Sequence, residues 1–487
     1  MESVTELTEA TQTMVPDALQ GVDEEASLLS LPDDDLLGVL QYLSTPDLLS
    51  CSAACRRLRG VALRPELWRR RNLDDKRSPG VEDALRLAPC AFRLTLSFYD
   101  LRSLGEIGRL AATTRCAAVQ LVLEVDPDAP ALLRAAQLAI RNQAGLGRLK
   151  SLRVALHASR HIHEGSATTI PDLLAEVLRI EGLFWLDVDI YRSSSRAIDW
   201  PMPTVEAEEP AAQIPASIER ATLRNVPPHF AHCVLRRHAA TLQSVALWGD
   251  CRSVAPLLAA IPGLRHLDLK CPVMDDLHLV ASCAALRSLK LTCAPFPDAA
   301  EAAASRATLE AFLRAATHLE ELEIELGVLR WFPDLAAPGL LTLRKLAIIF
   351  SFCEVPYITA VPKLPALEWL MLSDVVPVYV LGVVNPASMP RLRGLCIPRP
   401  LRGTETCVHA AVHTADVRRI LTSYSDFYLV VASRSCMKCE HCLKGCHGVP
   451  WPSYTTVGFY TLHAPGRDAV NALTWGSEEA CEKWMKA

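Results

Sequence analysis

The feature that most constrains this chain is an apolar spacing, apolar-xx-Leu-xx-Leu-x-Leu, that recurs along most of its length. It is clearest at Ile261, Leu264, Leu267 and Leu269, at Cys283, Leu286, Leu289 and Leu291, and at Ala316, Leu319, Leu322 and Ile324. Further sets end on Ile348, Leu372 and Ile397. Measured at the third template position, Val245, Leu267 and Leu289 lie 22 residues apart, and Leu322, Leu346, Leu370 and Leu395 follow at 24, 24 and 25. Earlier matches centre on Leu152 and Leu186, spaced by 34, and weaker ones on Leu94, Leu121 and Ala221. A period of this size reads as a solenoid. In each unit a short strand turns alternate side chains toward a core, and the preceding leucines fill the turn into it. One unit cannot cover its own apolar face. Stacking buries the leucines continuously and aligns the strands as a parallel sheet. The segments between strands, such as 275–281 and 309–316, have helical spacing and are expected on the convex side. The insertion at 191–210 is polar and proline-bearing, and is expected on the surface.

Composition supports a folded chain and narrows its partners. Half of the 487 residues are hydrophobic and 22% are charged, enough to build a sizeable core. A net charge of -5 and a pI of about 6.3 argue against a nucleic-acid partner, which usually calls for a basic domain. The opening 26 residues are acidic and lack the apolar stretch of an export signal. The longest apolar run, 375–384, is interrupted by Pro377 and is about half a membrane span, so no membrane partner is expected. The 17 cysteines are odd in number and lie mostly among leucines. Reduced thiols in the cytoplasm and/or nucleus are the expectation.

Four regions follow from these patterns: a disordered acidic tail at 1–26, a compact helical segment at 27–73, the repeat array at 74–400, and a cap at 401–487 carrying a Cys-rich loop. In the second region Pro32 suits the first turn of a helix, and Asp33, Asp34 and Asp35 place negative charge at the positive end of its dipole. Leu36, Leu37, Leu40 and Leu43 recur at helical spacing. Thr45 before Pro46 and Asp47 reads as a second N-cap, and Leu48 and Leu49 begin another apolar face. A module of this size cannot bury so many leucines alone, which implies a partner; packing against the first repeats is the alternative.

The ordered set Leu31-Pro32, Leu36-Leu37, Val39-Leu40, Tyr42-Leu43, Asp47-Leu48-Leu49, Cys55-Arg56-Arg57-Leu58 and Leu67-Trp68 resembles an F-box over its whole length. With the repeat, the resemblance is to F-box proteins of the leucine-rich-repeat class. It implies an α/β architecture: a small helical F-box followed by a curved leucine-rich-repeat solenoid with a parallel sheet on the concave face. It also implies docking on a Skp-family adaptor through Leu31, Pro32, Leu36, Leu37, Leu40, Leu43, Leu48, Leu49 and Trp68. Through that adaptor a cullin–RING scaffold is reached indirectly. The chain would act as the non-catalytic substrate receptor of a ubiquitin ligase, holding a target protein near the charged ubiquitin-conjugating enzyme.

Side chains that alternate with the leucines line the concave face. Those expected to meet a target are Trp185, Trp248, Asp268, Glu321, Glu323, Glu325 and Trp369. Three glutamates on one strand face are costly unless solvated or met by cations, and tryptophan is common at binding hot spots. A mixed acidic–aromatic surface for a basic target element is the functional reading; an ordinary solvated face is the other. No Gly-x-Ser-x-Gly, P-loop or His-Glu-x-x-His occurs, and no cofactor is expected. His157, His161 and His163 read as solvated loop histidines. The run Cys436, Cys439, Cys442 and Cys446 has the Cys-x2-Cys-x2-Cys-x3-Cys spacing of ferredoxins, but His447 stands where proline normally follows. Zinc, an iron–sulfur cluster and no metal all remain readings of it, the last being the expectation. A non-ligase F-box scaffold, or a metal- or redox-sensing regulator, are the functional alternatives.

Overall fold

The computed structural model describes residues 28–99, 104–158, 164–192, 215–249, 253–271, 276–293, 299–326, 340–350, 363–373, 384–397, 415–424, 427–433, 456–460 and 475–476. The expected tail at 1–26 and the four cysteines between 436 and 446 lie outside these residues.

Four helices open the fold: α1 (Asp33–Leu40), α2 (Thr45–Ala54), α3 (Arg56–Ala62) and α4 (Pro65–Trp68). Pro32 precedes α1, and the three aspartates occupy its first turn. The cap of α2 is Ser44, one residue before the expected Thr45: its hydroxyl accepts from the Asp47 amide at 3.4 Å, and Thr45 and Pro46 enter the first turn. Cys55 caps α3 in the same way, its sulfur accepting from the Leu58 amide at 3.4 Å. Trp68 is buried and donates from Nε1 to the Ala62 carbonyl at 2.7 Å.

Only three residues separate α4 from the first strand, Asn72–Asp74. From there the described residues build one 16-stranded sheet in which strand order follows chain order. Pairing is parallel from Asn72–Asp74 through Tyr428–Ser433, and antiparallel for the last two strands, Thr456–Tyr460 and Trp475–Gly476. The parallel ladder thus starts before the first leucine template and runs beyond the last.

Register confirms the repeat residue by residue. Leu94, Leu121, Leu152, Leu186, Ala221, Val245, Leu267, Leu289, Leu322, Leu346, Leu370 and Leu395 are successive partners in one row. All are buried, and with Leu36, Leu40, Leu48 and Trp68 they belong to one continuous core. Behind the sheet run helices of uneven length, such as Pro130–Gly145, Pro228–Arg237 and Ala299–Ala315, and a 3-10 turn at Leu277–Ser282. A helix is about twice as wide as the strand spacing of about 4.8 Å, so helices on one side force the strands onto the concave side. Where a turn leaves backbone groups unpaired, side chains pair them. Gln143 is buried; its oxygen accepts from the Ala118 amide at 2.9 Å and its nitrogen donates to the Cys116 carbonyl at 3.0 Å. Cys51, Cys55, Cys90, Cys116, Cys233, Cys283 and Cys396 are thiols. Burial pushes the Cys116 thiol up to about 12, so it is an inert core residue.

Candidate functional site: two interaction surfaces

The first surface is the outside of the helical module. Of the nine residues expected to meet an adaptor, Leu36, Leu40, Leu48 and Trp68 are fully buried in the module's interior. They hold it together and offer nothing outward. Leu31, Leu37, Leu43 and Leu49 are half-buried against the same core, and Pro32 is exposed. The most open apolar side chains are others: Leu28 at 47%, Leu29 at 44%, Val39 at 43% and Tyr42 at 85% exposure. Arg57 fixes the first of these. Its guanidinium donates to the carbonyls of Leu29 and Leu31, the latter at 2.6 Å, and to Asp33 at 3.0 Å. Arg64 adds a second ion pair to Asp33 at 3.1 Å. The segment before α1 is therefore tied to α3 while Leu28 and Leu29 stay open.

The second surface is the concave face. Register places Trp185, His266, Glu321, Lys345 and Trp369 in one row, Asp187, Asp268, Lys290 and Glu323 in the next, and Asp189, Arg224, Trp248, Lys270 and Glu325 in a third. Most of its charge is answered within the sheet. Arg224 reaches Asp187 at 3.4 Å and Asp189 at 3.2 Å, and Arg153 reaches Asp187 at 3.5 Å. Burial still raises the Asp187 carboxyl above its ordinary range, against the pull of Arg224 and Arg153. Burial likewise raises Asp268, opposed by Lys290. The Trp248 ring carries Arg224 at 4.6 Å and Lys270 at 5.0 Å from its centroid. Two of the three glutamates are spoken for: Glu321 pairs with Lys345 at 3.1 Å and Glu323 with Lys290 at 2.6 Å. The costly acidic strand is met by cations from its own neighbours. Trp369 lies across Gly394, where a Cβ would fall inside the indole ring, so this tryptophan is packed on one side.

Sequence reasoning passed over a fourth row, at the exit ends of the early strands. His157 does not sit in a loop; it belongs to the strand Ser151–Ala158 and pairs with Tyr191 of Trp185–Arg192. The strand therefore extends into what reads as the start of the insertion at 191–210. Ring centroids of Tyr99 and His157 are 5.9 Å apart, and those of His157 and Tyr191 6.0 Å, both tilted. Lys76 stands 3.9 Å over the Tyr99 ring and 3.1 Å from Glu124, to which the Tyr99 hydroxyl donates at 3.0 Å. Period-two counting from Thr95, Arg153 and Asp187, which face opposite to the leucines, reaches all three aromatic positions, so the signal was present in the alternation. Among the described residues no group of three or more His, Cys, Asp or Glu could hold a metal, and no helix is long and apolar enough to cross a membrane.

Comparison with known proteins gives one family. Residues 28–74 match the F-box-like family. No curated protein matches the chain in sequence. Among solved structures, the yeast Rad7 and Elc1 complex is 15% identical, covering 77% of this chain and 87% of that one, with a TM-score of 0.33. Human 5T4 (Wnt-activated inhibitory factor 1, trophoblast glycoprotein) is 19% identical over 50% of this chain and 84% of its own, with a TM-score of 0.31. An internalin from Listeria monocytogenes is 12% identical over 72% and 75%, with a TM-score of 0.25. Scores this low transfer neither fold nor function, and the solenoid stands on its own register. The helical module at residues 28–74 is an F-box-like domain, and it is joined directly to a leucine-rich-repeat solenoid.

Proposed function

We propose that this chain is the substrate receptor of a Skp–cullin–F-box ubiquitin ligase. The observation that carries the proposal is the F-box-like match at 28–74, with open apolar residues Leu28, Leu29, Val39 and Tyr42 on a module too small to need them for its own core. An adaptor of the Skp family covers that patch together with Leu31, Pro32 and Leu37. The cullin–RING scaffold joins through the adaptor. The solenoid captures a target protein on its concave face, where Trp185, Trp248, Asp268, Glu325 and Trp369 lie, Trp248 and Trp369 already packed by groups of this chain. Ubiquitin transfer is then accelerated by local concentration and not by side chains of this chain. The work is done in the cytoplasm, the nucleus or both.

The test is affinity purification of the full chain beside a Leu31→Ala/Pro32→Ala variant. Wild type is expected to recover adaptor and cullin, and the variant neither. Adaptor recovered without any cullin would identify a non-ligase scaffold instead. Adaptor retained by the variant, with an unchanged circular dichroism spectrum, would displace the interface.

A further inference from the structure

We infer that the row Tyr99–His157–Tyr191, with Glu124 and Asp126 around it, is the docking point for a cationic side chain, Lys or Arg, in an extended segment of the target. The inference rests on the receptor reading above and assigns where on the solenoid capture occurs and by what chemistry.

Elsewhere on the concave face, charge is closed up. Arg153, Asp187, Arg224 and Asp189 neutralise one another, as do Lys290 with Glu323 and Lys345 with Glu321. Trp248 already carries two cations, and Trp369 rests on Gly394. A partner docking there would have to break pairs before making its own.

The exit end of the early strands is different. Tyr191 is 57% exposed and Tyr99 36%, and His157 links them at ring separations of 5.9 and 6.0 Å. Negative charge gathers beneath the rings. Burial pushes the Tyr99 phenol upward, and Glu124, Asp126 and Asp75 add to it. Asp126 accepts from the Asp128 amide at 2.9 Å, and no ion pair to it occurs among the described residues. Lys76 is the one described cation that sits on the row, and its placement is informative. Its ammonium is 3.9 Å over Tyr99 while also 3.1 Å from Glu124. An aromatic face with a carboxylate at its rim therefore already accommodates an alkylammonium at one end of the row. At the other end Tyr191 has an open ring, and Asp126, one residue past the Val125–Leu156 pair, stands in the row beside His157. A ring face attracts a cation by its quadrupole, more so when a carboxylate stands by. An acidic partner segment would instead meet like charge.

The probe is a displayed library of twelve-residue peptides selected on the full chain. Enriched peptides are expected to carry Lys or Arg at one shared position. For a synthetic copy of the leading peptide, Tyr191→Ala should weaken binding roughly fivefold or more, as loss of a ring–cation contact implies. Asp126→Asn should weaken it less and flatten its dependence on salt. Replacing the shared cation by norleucine, which keeps the stem and removes the charge, should match the Tyr191→Ala loss and leave that variant no further to fall. Glu310→Gln, on the helix Ala299–Ala315 behind the sheet, should change nothing. Enrichment of acidic or uncharged peptides, or of basic ones indifferent to Tyr191 and Asp126, would overturn the inference. Adaptor and cullin recovery is measured on the same samples: failure there, with the cationic selection intact, would remove the ligase reading and leave the site.

Discussion

Between residues 28 and 68, Leu28, Leu29, Val39 and Tyr42 stand open at 43–85%, whereas along the solenoid the leucine row from Leu94 to Leu395 is exposed by 5% at most. Both regions are rich in leucine and both fold around the same continuous core. They differ in what covers an apolar side chain. A repeat is covered by the repeats on either side of it, so the array satisfies its own surface. The helical module has the solenoid on one side and none of its own chain, among the described residues, on the other. Open apolar area in the first region therefore points outward to a partner, while in the second the informative residues are the polar and aromatic ones that alternate with the leucines.

This contrast can be broken at its strongest point first. Trp68→Ala should cost about 3–5 kcal/mol, since a fully buried indole and its hydrogen bond to Ala62 are lost together. Thermal or urea unfolding checks it. Tyr42→Ala, by contrast, should leave unfolding unchanged and weaken adaptor binding, about tenfold or more if Tyr42 is an anchor. If both substitutions prove equally destabilising, the division between holding and offering residues is wrong.

The next effect lies within the solenoid. His238 is buried, and its Nδ1 accepts from the amides of Ser217 and Ile218 at 3.2 and 3.4 Å, at the entry to the strand Arg220–Arg224. Burial, then Arg237, push this imidazole down to about 4 from an ordinary 6.5. Because the folded value is depressed, its contribution is whole above 6.5. It drains away as pH falls from 6.5 toward 4, when only the unfolded chain takes up the proton. Between pH 7 and 4.5 wild type should lose about 2–3 kcal/mol more than His238→Gln, by urea denaturation at each pH. Equal losses would show that the two amides do not depend on a neutral ring.

Gly394→Ala sharpens the far end of the same region. Its Cβ meets the Trp369 ring, and the indole must leave, at a cost of about 1–3 kcal/mol. Tryptophan fluorescence should report the ring's exposure. The smallest effect belongs to the exposed pairs: Lys345→Met should change stability by less than about 1 kcal/mol, because a pair in contact with water gains little. A larger loss would mean that the sheet's charges do more than silence one another.

The repeat was legible in the sequence because a buried row admits few residue types, and the spacing of Val245, Leu267 and Leu289 reappears as register pairs in the sheet. Direction was harder to read than existence. Leu36 and Leu37 are neighbours of one type, yet the first is buried and the second half-open, a matter of where α3 packs on α1. Cross-strand partners such as Lys290 and Glu323 are 33 residues apart and meet only through register. The short strand Asn72–Asp74 has one leucine and no template. Tyr99, His157 and Tyr191 were not linked, and His157 read as loop, because each stands at or next to the end of its strand beside polar sequence.

The short passage from α4 into the first strand has a consequence for the whole assembly. Arg71 donates from Nε to the Leu67 carbonyl at 2.8 Å, its own carbonyl accepts from the Phe92 amide at 2.9 Å, and the Cys90 thiol reaches the Pro65 carbonyl at 3.7 Å. No hinge is available at this joint. On the receptor reading proposed above, this joint would act as a bracket: whichever way the adaptor faces, the concave face would be swung to one fixed bearing, and a captured target shown to the ligase from one side only. Lysines on that side would then be modified and the rest spared, whatever their chemistry. Inserting a few glycines after Arg71 would leave both grips intact and blur that choice, spreading ubiquitin over more sites at a lower rate for each.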